Sequence, residues 1–326
     1  MSKGVRGPNF YLRLAERHAR MEGFAVSHFG ARFGEANEAL TTYLELREST
    51  PTGEETSGLS HSSEGLVLLH VLEVAADGEP RGGVTLLHGA GDHGGRYLDT
   101  ANQLAEGSWA VALPDMRGHG RSEGERGHSN GSREIVRDLQ AVQDHLAYRL
   151  PTAPKVLVGQ GLGALYATTF ALEQRGSVAA LCLLSPLLDP QFELPKAGGL
   201  MKMFKKPGPS SPGRAGISPE ALTSDSAAQA AWRSDELVHD VITLRAAEQA
   251  VEMAASCRSR LAEVGVPVLV IVGADDPLAD PAGARALAGE GIEVRVKDGL
   301  RHDLLHGPAS AEVAAEIRDW LDEVVR

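Results

Sequence analysis

Strand-like apolar runs alternate with amphipathic helical segments along most of this chain, and this alternation limits the possible folds more than any other feature. Helical periodicity is clear in Arg133–Leu150, for which Ser132 is the expected N-cap, and again after Ser310. Strands that alternate with helices predict an α/β fold whose mostly parallel sheet is covered by helices on both faces. The strand-like runs are Leu66–Val74, Gly83–His88, Trp109–Pro114, Lys155–Gly159, Val178–Ser185, Val266–Gly273 and Ile292–Lys297.

Two stretches depart from the alternation. Residues 1–55 are predicted to be an N-terminal helical extension, with helices over Phe10–Met21 and Glu35–Leu46 and a polar linker after them. Residues 187–235 are rich in Pro, Gly, Ser and Lys, which is typical of an inserted cap or lid. The main α/β domain is therefore expected over residues 56–326.

The composition argues against several classes of function. With 44 acidic and 32 basic residues the net charge is -12, which argues against a nucleic-acid partner. No apolar run approaches the roughly 18 residues of a membrane span, and we expect a cytoplasmic protein. We expect neither a metal nor another cofactor. Cys182 and Cys257 do not have the spacing of metal ligands, and neither do His88, Asp92 and His93.

The segment Lys155–Ala164 has the layout of a nucleophile elbow. In such a segment an apolar strand enters a tight Gly-x-Ser-x-Gly turn and leaves it as a helix, which holds a serine hydroxyl above the sheet. Here the two outer glycines, Gly159 and Gly163, are present, but the central residue is Gly161. The surrounding pattern indicates acyl-transfer chemistry, and the residue at its centre has no side chain with which to perform it.

Three further stretches fit the same chemistry. Glycines follow the strand-like run that ends at His88, and their backbone N–H groups are suited to stabilising an oxyanion. Asp276 follows the next-to-last predicted strand, and His302 follows the last one. A nucleophile position, then an acid and then a base is the chain order of the α/β-hydrolases, in which acid and base lie at strand ends.

A family resemblance rests on LLHGAGDHGGRY (86–97), DMRGHGRSEGERG (115–127), GQGLGA (159–164), LLSPLL (183–188), GADDPLAD (273–280) and GLRHDLLH (299–306). In these stretches the chain resembles the monoacylglycerol lipase and lysophospholipase branch of the α/β-hydrolases. The resemblance implies the α/β-hydrolase fold. For members with a complete triad it also implies hydrolysis of carboxylic esters of glycerol or lysophospholipid through an acyl-serine.

Carried over position by position, the resemblance implies roles for the same stretches. Asp276 matches the family's triad acid and His302 its base. The backbone N–H groups of Ala90 and Leu162 match the oxyanion hole. Gly161 occupies the nucleophile position.

The resemblance also implies that residues 187–235 cap an acyl-chain tunnel. Apolar residues in this stretch alternate with lysines, a pattern suited to contact with an acyl chain or, transiently, with a lipid surface. A solvated cap that packs the same side chains inward explains the pattern equally well. The apolar residues are Leu200, Met201, Met203 and Phe204.

Three hypotheses for the function follow. The leading one is a pseudoenzyme or a very weak esterase that binds a small-molecule acyl, ester or other apolar ligand. The second is an active carboxylic-ester hydrolase, either because the natural protein has serine at position 161 or because His302 activates a water molecule. Gln160, where the branch commonly has histidine, favours natural divergence of the turn. The third is a protein-interaction or nucleotide-binding module, since Gly159-x-Gly161-x-x-Ala164 also fits the dinucleotide fingerprint, although no acidic ribose partner follows.

Overall fold

One large sheet with helices on both faces forms the body of the molecule. The computed structural model describes residues 40–47, 66–194 and 208–325. Within them the strands are β1 Leu40–Arg47, β2 Leu66–Val74, β3 Gly82–Leu87, β4 Trp109–Pro114, β5 Lys155–Gln160, β6 Ala180–Leu184, β7 Pro212–Arg214, β8 Val241–Thr243, β9 Val268–Gly273 and β10 Ile292–Lys297. The helices are α1 Leu98–Glu106, α2 Ser132–Arg149, α3 Leu162–Glu173, α4 Pro219–Leu222, α5 Ser226–Ser234, α6 Leu244–Arg260, α7 Pro281–Arg285 and α8 Ser310–Val324.

Eight of the described strands form the sheet, in the order β1-β2-β4-β3-β5-β6-β9-β10. β2 runs antiparallel to β1 and β4, whereas all strand pairs from β4 to β10 are parallel. Parallel neighbours need a crossover that returns the chain to the same edge, which the helices between the strands supply. The predicted mostly parallel α/β sheet is confirmed.

Apolar side chains cover both faces of this sheet. On one face α3 packs against β5 and β6 and is itself covered by α2 and α6. Because α3 is enclosed, its apolar residues occur all round the helix, and Leu165 and Phe170 are fully buried. On the other face α1 and α8 cover the sheet, with Trp109 and Trp320 buried beneath them. The strands are thus held rigidly enough to fix the loops at their ends.

β1 corrects the prediction for the N-terminal part. The helix predicted over Glu35–Leu46 is wrong for residues 40–46, which form a strand paired antiparallel with β2. The run Thr41-Thr42-Tyr43 favours a strand, and the edge of β2 offers unpaired backbone groups to it. The predicted extension over residues 1–55 therefore contributes an edge strand to the sheet. The helix predicted over Phe10–Met21 and the linker lie outside the described residues.

The start of α2 also differs from the prediction. Ser132 is the first helical residue rather than the N-cap, and Gly131, with a φ of 129°, takes the N-cap position. The carboxylate of Glu134 accepts the backbone N–H of Asn130 at 2.7 Å. This side chain satisfies a donor at the helix start from within the helix, so a serine cap is not needed.

The cap is a small packed unit. Residues 187–194 and the stretch from 208 onward are described, and β8 lies beyond the predicted end at residue 235. β7 and β8 form an antiparallel ribbon, and α4 and α5 lie between them in sequence. The cap's apolar residues Ala215, Ile217, Leu222 and Ile242 form one core cluster with Ala246 and Ala247 of α6. The predicted acyl-chain contacts Leu200, Met201, Met203 and Phe204 lie outside the described residues.

None of the helices in the described ranges combines the length and the apolar character that crossing a membrane requires.

Candidate functional site

Four loops meet at the edge of the sheet where the parallel strands end. β3 is followed by residues 88–97, β5 by Gly161, β9 by Asp276 and β10 by His302. Because these strands run in the same direction, their carboxyl ends share one edge, which is where ligands bind in open α/β sheets. These are the loops that the sequence predicts to form the site, and the structure brings them together.

Gly161 forms the apex of a tight turn between β5 and α3. Its φ of 56° and ψ of -111° lie in a region that L side chains rarely adopt. Two residues later, a Cβ atom on Gly163 would lie 2.5 Å from the carbonyl oxygens of Leu87 and His88, so α3 begins directly against the end of β3. This is the strand–turn–helix geometry of a nucleophile elbow. The same geometry explains the glycines that had suggested a dinucleotide site.

His302 and Asp276 form a buried pair beside the elbow. The imidazole Nδ1 lies 3.0 and 3.1 Å from the two carboxylate oxygens of Asp276. Asp276 Oδ1 also accepts the backbone N–H groups of Leu278 and Ala279, each at 2.9 Å. Burial alone would raise the pKa of Asp276, but the His302 ring and these hydrogen bonds outweigh burial and lower it. The carboxylate is therefore ionised and fixes the orientation of the imidazole.

The imidazole ring of His302 lies over the apex of the elbow. A Cβ atom added to Gly161 would be only 2.8 Å from His302 Nε2. Non-bonded carbon and nitrogen atoms do not pack this closely, so the ring occupies part of the volume that a serine side chain would fill. In the neutral tautomer whose Nδ1–H donates to Asp276, Nε2 carries the lone pair. Nε2 has no hydrogen-bond partner among the residues that the structure describes.

Two backbone N–H groups flank the apex. Leu162 is the first residue of α3, so its N–H has no acceptor within the helix. Ala90 belongs to the loop after β3. This loop lies beside the elbow, as shown by the distance of 3.8 Å between Gly89 Cα and a Cβ atom placed on Gly161. Within the described ranges the N–H of Ala90 donates to no acceptor. Both groups are thus free to donate to an oxygen atom at the apex.

Gln160 connects the elbow to the loop that carries His302. Its buried side chain donates from Nε2 to the main-chain carbonyl oxygen of His302 at 2.7 Å. Its Oε1 is buried without a partner among the described residues. This contact could not be predicted from the sequence, in which Gln160 stands out only as a departure from the branch, because no linear pattern relates the two positions.

His88 supports the turn after β3. Its Nδ1–H donates to the carbonyl oxygen of Gly89 at 2.8 Å, and its Nε2 accepts the backbone N–H of Met116 at 2.9 Å. Burial lowers the pKa of His88, so the ring is neutral with one tautomer fixed by these two bonds. No group of His, Cys, Asp and Glu side chains in the described ranges is arranged to hold a metal ion.

A buried charged network joins the loop after β3 to the loop that carries His302. Asp92 forms an ion pair with Arg96, whose Nε lies 2.9 Å from Oδ1, and accepts a hydrogen bond from the hydroxyl of Tyr97 at 3.0 Å. His306 donates from Nδ1 to Asp303 at 2.7 Å and from Nε2 to the carbonyl oxygen of Arg96 at 2.8 Å. Because both nitrogens donate, the ring is protonated. The sequence analysis did not identify this network, since its members lie in two distant loops.

The protonated state of His306 predicts a dependence of stability on pH. Burial would lower the pKa of His306, but the Asp303 carboxylate outweighs burial and raises it to about 9. An unfolded chain has a histidine pKa of about 6.5. The raised pKa therefore contributes stability that is fully present below pH 6.5 and is lost as the pH rises through 9.

We expect the unaltered protein to lose on the order of 2–3 kcal/mol of unfolding free energy between pH 6.5 and 9.5 relative to His306→Gln. Urea denaturation of both proteins at several pH values measures this difference. Parallel pH profiles of the two proteins would contradict the assignment.

Two polar contacts join the described part of the cap to the loop after β3. The backbone N–H of His239 donates to the carbonyl oxygen of Gly91 at 2.8 Å, and the Nε2 of His93 lies 2.9 Å from a carboxylate oxygen of Asp235. Gly91 has a φ of 67°, and a Cβ atom there would lie 1.7 Å from the carbonyl oxygen of His239, so only glycine allows this approach. The cap therefore lies directly against the site.

A small cavity lies between Ala90 and Leu162 on one side and β8 of the cap on the other. Its volume is about 10 Å³, which is roughly enough for one water molecule. An acyl group that enters this space must displace the cap residues that close it. The lining residues are Ala90, His119, Gly127, His128, Leu162, Tyr166, Val241, Ile242 and Ala246.

Three other hydroxyl and thiol groups do not replace the missing serine. Ser122 donates its hydroxyl to the carbonyl oxygen of Asp115 and accepts the backbone N–H of His70. Cys182 is fully buried in the sheet, and burial raises the pKa of its thiol, which keeps it protonated. Ser185 follows β6 and is fully buried. The structure places none of these groups at the apex of the elbow.

A comparison of the whole chain with protein families agrees with this geometry. The model of one family, described as serine aminopeptidase, S33, matches residues 78–309, and this range contains the elbow, Asp276 and His302. The chain belongs to this family. Within the matched region, this S33-family chain has Gly161 at the position where the elbow of a serine hydrolase carries its nucleophile.

In sequence, the S33-family chain is similar to monoacylglycerol lipases. It is 29% identical over 251 residues to a monoacylglycerol lipase of Mycolicibacterium smegmatis, an alignment that covers 75% of this chain and 89% of the relative. It is 28% identical over 218 residues to the monoglyceride lipase of Rattus norvegicus, covering 64% and 70% of the two chains.

Solved structures give the same result. The monoacylglycerol lipase of Paleococcus ferrophilus matches with a TM-score of 0.67 at 25% identity and covers 78% of this chain and 98% of its own. A soluble variant of the monoglyceride lipase of Saccharomyces cerevisiae matches with a TM-score of 0.69, covering 86% and 100% of the chains, but at 17% identity it supports the fold alone. The predicted α/β-hydrolase fold and the monoacylglycerol lipase-like branch are confirmed.

Proposed function

We propose that this chain binds an acyl ligand at the elbow without hydrolysing glycerides through an acyl-serine, so that it is a pseudoenzyme or a very weak esterase. The observation that carries the proposal is Gly161 at the apex, between the His302–Asp276 pair and the two free N–H groups. Glycine offers no atom that can be acylated. In serine hydrolases the loss of one triad member lowers kcat by on the order of 10⁴- to 10⁶-fold.

The parts that bind an acyl group support the proposal separately from the missing nucleophile. In the proposed site the N–H groups of Ala90 and Leu162 hold the carbonyl oxygen of the ligand. On the apolar side, Ala90, Phe192 and Leu278 pack against both the main core and the cap core. A carbonyl head held by backbone donors and an apolar tail against these side chains is the chemistry of a medium-chain acyl ester.

Filling the cavity beside Ala90 tests this binding mode. Monooctanoylglycerol is expected to bind the unaltered protein with saturation, and Ala90→Leu is expected to weaken binding at least about 10-fold, because the larger side chain occupies the space of the acyl group. Isothermal titration calorimetry measures both affinities.

Val251→Leu is the matched control for this experiment. It also enlarges an aliphatic side chain, but Val251 lies on α6 with 49% of its surface exposed. This variant is expected to bind as the unaltered protein does. The proposed binding site is wrong if Ala90→Leu, folded as judged by its thermal unfolding, binds monooctanoylglycerol with undiminished affinity.

A further inference from the structure

We propose that His302 Nε2 acts as a nucleophile toward acyl thioesters and aryl esters, forming an acyl-imidazole where serine hydrolases form an acyl-serine. The proposal rests on the function proposed above only for the binding of the acyl group at the elbow. It adds an activity that uses no serine and a class of substrate that differs from glycerides.

The position of the imidazole supports this role. Nε2 lies 2.8 Å from the place of a Cβ atom on Gly161, so it occupies part of the volume that a serine side chain would fill. Asp276 holds the proton on Nδ1, and the lone pair of Nε2 is left without a partner among the described residues. A carbonyl oxygen bound by the N–H groups of Ala90 and Leu162 would present its carbon beside this lone pair.

The reaction needs only His302, the substrate and water. The lone pair of Nε2 forms a bond to the carbonyl carbon, and the π electrons of the carbonyl group move to its oxygen. When this oxyanion collapses, the bond to sulfur or aryl oxygen breaks and a thiolate or phenolate leaves, with Nδ1–H still bound to Asp276. The acylated ring keeps its Nδ1–H and is therefore an acyl-imidazolium, paired with the Asp276 carboxylate. Water attacks its acyl carbon, the N–C bond returns its electrons to Nε2, and the carboxylic acid is released. The proton that water loses passes through the solvent to the thiolate or phenolate.

The leaving group decides which substrates react. The tetrahedral intermediate can expel imidazole, whose conjugate acid has a pKa of about 6.5, or the leaving group of the substrate. Thiolates and phenolates, with conjugate acids near about 8.5 and about 10, compete with imidazole. An alkoxide is about as poor a leaving group as hydroxide, whose conjugate acid has a pKa of about 15.7. It also receives no proton from His302, which is itself the nucleophile, so glycerides return to substrate.

The experiment compares S-octanoyl-N-acetylcysteamine with monooctanoylglycerol on the unaltered protein. We expect thiol release at a rate at least about 10³-fold above release of glycerol, and an at least about 100-fold loss of thiol release in His302→Gln. Hydroxylamine added during turnover is expected to yield octanoyl hydroxamate. Native mass spectrometry at neutral pH within seconds of mixing is expected to show an octanoyl adduct on the unaltered protein, and no such adduct on His302→Gln.

Each outcome separates this inference from the proposed function. If monooctanoylglycerol binds as expected but thiol release is unchanged in His302→Gln, the inference is overturned and the proposed function stands. If thiol release depends on His302 but neither hydroxamate nor an octanoyl group on His302 is found, the histidine activates water instead, and the nucleophilic role is overturned. If monooctanoylglycerol does not bind at all, the proposed function fails, and an octanoyl group found on His302 would still support the inference.

Discussion

Gly161→Ser is expected to produce hydrolysis of monooctanoylglycerol at least about 10³-fold faster than that of the unaltered chain. The reason is that the other groups of the site are already placed. The His302–Asp276 pair is aligned at 3.0 Å, and the N–H groups of Ala90 and Leu162 are free. A serine hydroxyl at the apex would meet an imidazole lone pair that can take its proton. Titration with a fluorophosphonate probe measures how many active serines are formed.

The new serine requires a small movement of the base. Its Cβ atom would lie 2.8 Å from His302 Nε2, and the ring must withdraw to about 3.5 Å. The movement is feasible, because Nε2 is the outer end of a side chain rather than backbone. The positive φ of 56° remains unfavourable for serine, and we expect the variant to lose roughly 1–3 kcal/mol of stability.

Two companion variants control this experiment. Gly161→Ala introduces the same Cβ atom and the same strain without the hydroxyl, so it should lose stability like the serine variant and gain no hydrolysis. In Gly161→Ser with His302→Gln, the gain should disappear. A folded Gly161→Ser protein that neither reacts with the probe nor cleaves monooctanoylglycerol would show that these residues do not form a triad.

Arg117→Met is expected to cost about 3–5 kcal/mol of unfolding free energy, the largest effect on stability that we predict. Arg117 is only 5% exposed and makes a bidentate pair with Asp138, which is fully buried, at 2.6 and 2.8 Å. It also donates to Glu134 at 2.8 Å. Methionine keeps much of the side-chain volume but leaves two buried carboxylates without this partner. Urea denaturation measures the loss.

Arg175→Met is the control for charge removal alone. Arg175 pairs with Glu263 at 2.8 Å, but the two side chains are 56% and 46% exposed. Exposed pairs of this kind contribute about 0–1 kcal/mol. Equal losses in the two arginine variants would contradict the view that burial makes the Arg117 network important.

The sheet could be predicted from the sequence because burial leaves a simple pattern there. The strands Trp109–Pro114 and Ile292–Lys297 were predicted with the bounds that the structure has. Their boundaries are clear because each run lies between polar or turn-forming residues. β1 could not be predicted in this way, since Leu40–Arg47 also has helical spacing and becomes a strand only by pairing with β2.

The candidate site could likewise be predicted only in part. The positions of Gly161, Asp276 and His302 follow from the chain order of strand ends, so the sequence predicted that they meet. Side-chain contacts between distant loops could not be predicted, because they depend on packing that no local pattern records. Examples are the hydrogen bond from Gln160 to the His302 carbonyl oxygen and the contact between His93 and Asp235.

The most direct test of the whole account is to measure binding and cleavage of monooctanoylglycerol together on the unaltered protein. Calorimetry reports binding, and chromatography of the same sample reports octanoate. We predict saturable binding of one ligand per chain, with octanoate accumulating no faster than in Gly161→Ala. Rapid release of octanoate by the unaltered chain would contradict the account, because it would show that this scaffold cleaves alkyl esters with glycine at the apex of its elbow.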